Sequence, residues 1–384
     1  MTPPAGWSME RDPQGPVVLK RTDDGQLSAI VILSEPLRDA LPDAVRSAMH
    51  RGFADAKLEL ASLKEGASIF GLPGVSFEES FRHPQLRRRV RVSGVGLDVE
   101  GRLHLAWLTT FSNKGSADRE REFDEIIRSW QFKTANAKPW NPAQTRQVPA
   151  GLAGFYWGSK IENRYNGLSG SMQMKAIRRY VLLLPTGQAY RGIPPGGRVL
   201  DMDFAERLRE DPEKCCVYSV VGDEIVFEWP VSRGMIRTLR SPLQQRGGRV
   251  QFKFMGVDVV PARPASISRV EGVYTASNVT MTNTAFSNTT VSSARRLAFT
   301  ADGRYTKSGF VGVSFSHDSG GDRSSGAGGS KTAAQSGTYT IDGFRLTLDP
   351  DDGPPETFTL IIETPSPSPG ALFIGGAAYL KSGP

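Results

Sequence analysis

Hydrophobic residues in the first third of the chain recur with two different periods. Within GPVVLKRTDDGQLSAIVIL (15–33), apolar runs flank the turn sequence TDDGQ, which predicts a β-hairpin. Further along, RRRVRVSGVGLDVEG (87–101) and RLHLAWLTTF (102–111) alternate apolar and polar positions, which predicts further strands. The second of these strands places four large apolar residues on one face: Leu103, Leu105, Trp107 and Phe111.

Two other segments of this region show helical spacing. Four apolar residues lie four positions apart, with Pro42 in the first turn, and predict an amphipathic helix: Leu41, Val45, Met49 and Phe53. A second helix is predicted to begin near Ser116, a residue favoured as an N-cap. Its apolar stripe consists of Phe123, Ile126, Ile127 and Trp130. The order of strands and helices predicts an α+β domain over residues 6–132.

The two ends of this domain carry a family resemblance. GWSMERDPQGPVVLK (6–20) and EFDEIIRSWQF (122–132) resemble the opening and closing segments of the PsbP-like superfamily, which includes DcrB-like envelope proteins. The resemblance implies an α/β/α sandwich with an antiparallel sheet, a fold used by binding, chaperone and assembly proteins. It implies no catalytic residues.

After a Pro-rich linker predicted at 133–150, the chain repeats one strand pattern. GLAGFYWG (151–158) matches RVEGVYTA (269–276), and both carry Gly-x-Tyr. CVYSVVGDEIVFE (216–228) matches SGTYTIDGFRLTL (336–348) in the spacing of its Tyr, Gly and apolar residues. Ordered landmarks at nearly constant separation predict an internal repeat, with β-domains at 151–263 and 264–382.

The repeated pattern resembles that of small lipocalin-like domains, which implies that each copy is a mainly-β, barrel-like domain. Two half-barrels that pair into one larger barrel are the alternative arrangement. A short helix is predicted at 201–211 in the first copy, and a long strand pair at 276–293 in the second. The Gly/Ser-rich segment 316–337 is predicted to be a mobile loop.

Composition adds few constraints to this picture. Hydrophobic residues make up 39% of the 384 residues, which is enough for several packed cores, and a net charge of +7 is mild for this length. The only cysteines are the adjacent Cys215 and Cys216, so no disulfide framework is expected. No apolar run is long enough for a membrane-spanning helix. We expect a periplasmic or extracellular protein if a leader was trimmed before Thr2, and a cytoplasmic one otherwise.

The sequence lacks the motifs of nucleophilic, metal-dependent and phosphate-binding enzymes, so no catalytic residue, metal ligand or cofactor is predicted. Two groups of candidate binding residues remain. The first is the run Arg87, Arg89 and Arg91, which could bind an anionic partner or simply form a solvated strand face. The second is aromatic: Tyr156, Trp157 and Tyr180. These side chains could line a barrel cavity for an apolar ligand or fill the barrel interior.

These observations predict a non-enzymatic binding or assembly protein of a bacterial envelope or secreted system that acts through contacts with an unidentified protein partner. One alternative is a carrier of a small apolar ligand in a barrel cavity. The other is a cytosolic chaperone or adaptor for secreted effectors. Nucleic acid is disfavoured as a partner, because no aromatic residues interleave with the arginines and no known nucleic-acid-binding signature is present.

Overall fold

The structure is a computed structural model of the full chain. It describes all residues except 1–5, 12–14, 24–25, 55–57, 62, 85–86, 112–115, 133–138, 167–170, 200, 284–286, 320–321, 365 and 383–384. The chain divides into two compact units. One comprises Met1–Gln144 together with Phe227–Thr238, and the other comprises Thr145–Val226 together with Leu239–Pro384.

The first unit is built on an antiparallel sheet of seven strands. The strands are β1 (Ser8–Arg11), β2 (Val17–Asp23), β3 (Gln26–Pro36), β4 (Leu63–Ala67), β5 (Pro73–Arg82), β6 (Arg89–Val99) and β7 (Arg102–Thr110), in the order β1-β2-β3-β7-β6-β5-β4. The hairpin predicted around TDDGQ is confirmed as the pair β2–β3. The strands predicted on either side of residue 101 are confirmed as the pair β6–β7.

Two helices accompany this sheet, α1 (Leu41–Gly52) and α2 (Ser116–Arg128). Val45 and Met49 of α1 belong to the same buried cluster as Leu105 of β7. Phe123 of α2 belongs to a different cluster, which contains Leu108 of β7. Both predicted helices are therefore confirmed, and each buries the apolar side that its spacing indicates. Among the described residues, no helix is long and apolar enough to span a membrane.

A second, curved antiparallel sheet belongs mainly to the second unit, although residues 227–238, which contribute to two of its strands, are part of the first unit. Its strands are β8 (Gly154–Asn166), β9 (Ser171–Leu183), β10 (Gln188–Arg191), β11 (Cys215–Val221), β12 (Glu224–Pro230), β13 (Ile236–Pro242), β14 (Gln244–Arg246), β15 (Arg249–Phe254) and β16 (Val257–Pro261). Their order is β13-β12-β11-β10-β9-β8-β16-β15-β14. Only Leu243 separates β13 from β14, although these strands stand at opposite ends of that order, so the sheet curls into a barrel-like shape. The predicted short helix is confirmed as α3 (Phe204–Glu210), with Asp203 as its N-cap.

The remaining strands form a closed barrel. They are β17 (Gly272–Asn283), β18 (Ser287–Phe299), β19 (Arg304–Ser319), β20 (Asp322–Asp342), β21 (Arg345–Pro350), β22 (Glu356–Ile361), β23 (Ala371–Ile374) and β24 (Ala377–Lys381), and β17 pairs with β24. The second copy therefore closes by itself and is not half of a larger barrel. The long strand pair predicted at 276–293 is confirmed as β17–β18.

The Gly/Ser-rich segment 316–337 corrects an expectation. It was predicted to be a loop, but the structure extends β19 and β20 through most of it, and pairs such as Gly312 with Gly329 continue the ladder. Backbone N–H and C=O groups can complete a strand ladder whatever side chains they carry. Low side-chain complexity therefore does not exclude a hairpin here.

The two barrels contain equivalent backbone hydrogen bonds. The N–H of Tyr218 donates to the carbonyl of Gly187 at 2.7 Å, and the N–H of Tyr339 donates to that of Gly303 at 2.9 Å. Both glycines have a left-handed φ and lie in equivalent turns. In the first barrel the Leu184 N–H donates to the Gln188 carbonyl, and in the second the Thr300 N–H donates to the Arg304 carbonyl. The predicted hairpins at Gly222 and Gly343 are also confirmed, and both glycines have a positive φ.

These equivalent backbone hydrogen bonds show which residues of the first barrel correspond to which residues of the second. Because Leu184 corresponds to Thr300, Arg179 corresponds to Arg295, and Arg191 corresponds to Lys307. The β8–β9 and β17–β18 registers agree with this alignment, since Tyr156 pairs with Val181 and Tyr274 with Leu297. The turns 255–256 and 375–376 each have two positive φ values. They align β15 and β16 of the first barrel with β23 and β24 of the second.

Candidate functional site

A cavity of about 820 Å³ lies at one end of the closed barrel. Its apolar lining includes Leu297, Leu348, Phe358, Ile374 and Tyr379. Four of these residues also belong to the barrel's core cluster, and Phe358 packs against it. The cavity is therefore a continuation of the hydrophobic interior, and its volume lies within the range typical of small-molecule sites.

The opposite part of the barrel interior is filled by aromatic residues. The Tyr339 hydroxyl donates to the Val270 carbonyl at 2.6 Å and accepts from the Val270 N–H at 3.0 Å. Its ring contacts Phe299 at a centroid distance of 4.8 Å. Burial is the main cause that raises the pKa of Tyr274, next to this cluster, to about 12. These side chains remain neutral and close that part of the barrel.

Charged side chains surround the entrance of the cavity, and several of them have partners inside the protein. Lys307 Nζ lies 2.6 Å from a carboxylate oxygen of Glu356. Burial raises the pKa of Tyr379, while the charge of Arg295 and a hydrogen bond from it partly offset this effect. At the entrance, a carboxylate thus compensates the charge of Lys307, whereas Arg295 is accompanied by a neutral hydroxyl.

The first barrel has a smaller cavity, of about 280 Å³, at the corresponding end. Arg179, Arg191 and Lys214 line it together with Phe254. The alignment of the barrels places Arg179 and Arg191 at the positions of Arg295 and Lys307. None of these four residues was predicted from the sequence as part of a site. The signal was the paired arginines before each Gly turn, in RRYVLLLPTGQAY and RRLAFTADGRY.

The predicted arginine run is placed in the first unit, at the start of β6. Arg89 and Arg91 are two positions apart in the strand, whereas Arg87 precedes it with a left-handed φ of 52°. Val90 and Val92 are fully buried, as the alternation predicts. The three arginines therefore do not form one continuous strand face.

Arg91 already has acidic partners. Its guanidinium lies 2.6 Å from Glu78 and 3.8 Å from Glu120. Arg233, which is almost fully buried, contacts the same Glu78 at 3.0 Å. Burial of Glu78 acts to raise its pKa, but the hydrogen bonds from Arg233 and Arg91 outweigh this and lower it. Arg91 is thus part of an ion-pair network, while Arg87 and Arg89 are exposed.

The three predicted aromatic residues lie on different sides of β8 and β9. Tyr156 is buried, donates to the Leu152 carbonyl at 2.9 Å and contacts the Phe252 ring at 5.0 Å. Trp157 and Tyr180 belong instead to a second cluster, in which Trp157 contacts Phe373 of the closed barrel at 4.7 Å. The three side chains therefore do not line one cavity, because neighbouring residues of a strand point to opposite faces.

The two cysteines are buried, and neither forms a disulfide. Burial raises the pKa of each thiol to about 12, so both are protonated near neutral pH. Among the residues that the structure describes, no group of three or more His, Cys, Asp or Glu side chains is arranged to hold a metal ion.

Comparison with known proteins adds little to this geometry. No family model matches the sequence. No curated protein is similar to it at a significant level. Among solved structures, the tail fiber of Staphylococcus aureus phage P68 is 9% identical and covers 85% of this chain and 74% of its own, with a TM-score of 0.10. A TM-score this low carries no argument about fold or function.

Proposed function

We propose that this chain is a non-enzymatic binding protein that holds a small apolar ligand in its C-terminal barrel. The observation that carries the proposal is the cavity of about 820 Å³ over the apolar residues Leu297, Leu348 and Phe358. Small-ligand sites in β-barrels typically lie at the open end of the barrel and are lined mainly by apolar side chains. The up-and-down order of the eight strands supports a lipocalin-like assignment.

Two ion pairs near the entrance are compatible with a neutral ligand. Glu356 already compensates Lys307, and Asp351 compensates Arg304 at 2.9 Å. An apolar ligand leaves these contacts in place and gains free energy by burying its surface against the floor of the cavity.

The first unit is proposed to be the α/β/α sandwich that the PsbP-like resemblance implies. The separate buried clusters that contain α1 and α2 support this assignment. In such an architecture the first unit would supply contacts to a protein partner. The exposed residues Arg87 and Arg89 are the candidates for that surface.

The ligand proposal is tested with the neutral fluorescent probe N-phenyl-1-naphthylamine and a cavity-filling variant. Ala377 is half-buried and lines the cavity, so Ala377→Phe places a ring in it. We expect saturable binding to the wild-type protein and affinity reduced by about tenfold or more in the variant.

The matched control is Thr340→Phe, which adds a ring to an exposed position of β20 in the same barrel. This variant should bind the probe like the wild type. Absence of saturable binding to a folded wild-type protein, or equal losses in the two variants, would overturn the proposal. Circular dichroism checks that both variants are folded.

A further inference from the structure

Four residues with polar ends share the interior face of the closed barrel and line its cavity: Arg295, Lys307, Glu356 and Tyr379. Arg295 lies two positions before the core residue Leu297 in β18, and Lys307 of β19 pairs directly with Leu297. Glu356 pairs with Leu348, and Tyr379 is itself a core residue. Residues two positions apart in a strand, and residues directly opposite each other, lie on the same face of a sheet. All four side chains therefore converge on the cavity.

Two of these residues compensate each other's charge, whereas Arg295 lacks an acidic partner. Lys307 Nζ donates to both carboxylate oxygens of Glu356, at 2.8 and 2.6 Å. Arg295 donates to the Tyr379 hydroxyl, which stays neutral near neutral pH because burial raises the pKa of Tyr379. The ion pairs found at this entrance among the described residues are Lys307–Glu356 and Arg304–Asp351, and neither includes Arg295.

The charges around the entrance leave an excess of one positive charge. The charge of Glu356 also acts on Tyr379, so this carboxylate lies near the same hydroxyl, but Lys307 holds it. The interior set of Arg295, Lys307 and Glu356 thus has two cations and one carboxylate. The wider entrance shows the same excess when Arg304, the partner of Asp351, is counted with the charged lining residues. Its cations are Arg295, Arg296, Arg304 and Lys307, and its carboxylates are those of Asp351, Asp352 and Glu356.

The apolar lining of the cavity begins next to Arg295. Leu297 follows it on the same face of β18, and Phe358 and Ile374 contribute further apolar surface. Arg295 is exposed, whereas Leu297 is buried, so the exposed guanidinium marks the boundary between solvent and the apolar interior. A ligand whose apolar body fills the cavity would therefore have one end beside Arg295.

We propose that the ligand of the closed barrel is an amphipathic monoanion, with an apolar body in the cavity and one carboxylate or sulfonate group bound by Arg295. A planar guanidinium binds the oxygens of such a group by paired hydrogen bonds. The Tyr379 hydroxyl accepts from Arg295 and is free to donate its own proton to the same group. The Lys307–Glu356 ion pair stays in place. This inference rests on the proposed function, because it needs an apolar ligand in the same cavity.

The test compares two fluorescent probes that have the same aromatic body. The anionic probe 1-anilinonaphthalene-8-sulfonate differs from the neutral N-phenyl-1-naphthylamine by one sulfonate group. We expect the full chain to bind the anionic probe more tightly than the neutral one. Arg295→Gln should weaken binding of the anionic probe by about fivefold or more, because a charge-assisted contact is lost, and leave that of the neutral probe nearly unchanged. Added salt should weaken binding of the anionic probe alone.

Arg249→Gln is the matched control, since it makes the same change in net charge at an exposed position of β15 in the first barrel. It should keep the wild-type preference for the anionic probe. Arg295→Lys retains the charge without the planar group and should keep part of the preference. If the neutral probe binds and Arg295→Gln keeps the wild-type preference, the inference is overturned while the proposed function stands. If neither probe binds saturably to the folded wild type, both are overturned. Circular dichroism checks that the variants are folded.

Discussion

Tyr218 and Tyr339 occupy the same position in the two barrels of the second unit. Each donates its backbone N–H to the carbonyl of a turn glycine, Gly187 or Gly303, and each directs its hydroxyl to a backbone carbonyl. The tyrosine therefore joins the start of a strand hairpin to a turn that lies far away in sequence. Such contacts fix the strands in one register, because a one-residue slip would break them.

The first prediction concerns the stability of the closed barrel. In Tyr339→Phe, the Val270 carbonyl loses a bond of 2.6 Å and the Val270 N–H loses one of 3.0 Å. Since both groups are buried, we expect the free energy of unfolding to fall by about 2 kcal/mol. Chemical denaturation followed by circular dichroism measures this change.

Tyr305→Phe is the matched control for this prediction. Tyr305 is equally buried in the same barrel, and its hydroxyl makes no hydrogen bond among the residues that the structure describes. Its loss should change the free energy of unfolding by less than about 0.5 kcal/mol. Equal effects of the two substitutions would contradict the role assigned to the Tyr339 hydroxyl.

The second prediction concerns Gly337, at which the backbone of β20 approaches that of β21. A Cβ atom at this position would lie 2.1 Å from the Asp349 carbonyl oxygen, far inside van der Waals contact. Gly337→Ala must therefore shift the strand, and we expect a loss of about 1–3 kcal/mol in the free energy of unfolding. Gly370→Ala, where a Cβ atom meets nothing within 4 Å, should leave stability nearly unchanged. If Gly370→Ala is the more harmful of the two, the close approach is refuted.

Much of the fold could be predicted because the spacing of apolar residues within a short segment already indicates a strand or a helix. The local sequence is enough to recognise the helical spacing of Val45 and Met49 in α1. The same is true of the turn glycines, Gly222 and Gly343. A comparison of RRYVLLLPTGQAY (178–190) with RRLAFTADGRY (295–305) would match Tyr190 with Tyr305, but the structure does not. The ladder aligns Tyr305 with Ala189, so Tyr305 joins the barrel interior and Tyr190 a different cluster. A slip of one residue reverses the face of a strand.

The candidate sites were harder to predict, for a related reason. Trp157 and Tyr156 are adjacent in β8 and must face opposite sides of the sheet, but the local sequence does not show which of them faces the barrel interior. The smaller cavity brings Arg179 together with Lys214 and Phe254, which come from segments far apart in sequence.

The third prediction concerns pH and Glu78 in the first unit. Hydrogen bonds from Arg233 and Arg91 hold its folded-state pKa below the usual value, in opposition to burial. A lowered folded-state pKa contributes stability above the unfolded-state pKa of about 4.3, and this contribution is lost as the pH falls through the folded-state value. Glu78→Gln should therefore destabilise the protein at pH 7 and have a smaller effect near pH 3.

The expected loss at pH 7 is modest, about 1 kcal/mol or less, because the side chain of Glu78 is 47% exposed and solvent screens its ion pairs. Denaturation curves at pH 7, 4 and 3 for the wild type and the variant measure the difference. Glu65→Gln, at an exposed position of the neighbouring strand β4, should show no such dependence on pH. A pH-independent effect of Glu78→Gln would rule out an electrostatic contribution.

The last prediction concerns the contact between the two barrels of the second unit. The rings of Trp157 and Phe373 lie 4.7 Å apart and belong to one buried cluster that draws residues from both barrels. A double-mutant cycle with Trp157→Leu and Phe373→Leu should give a coupling energy of about 0.5–1.5 kcal/mol, the range for aromatic pairs. The control is a cycle of Trp157→Leu with Phe299→Leu, because Phe299 lies in the separate core of the closed barrel. In this cycle the losses of unfolding free energy should be additive. Additivity in the Trp157–Phe373 cycle would mean that this contact does not couple the stability of the two barrels.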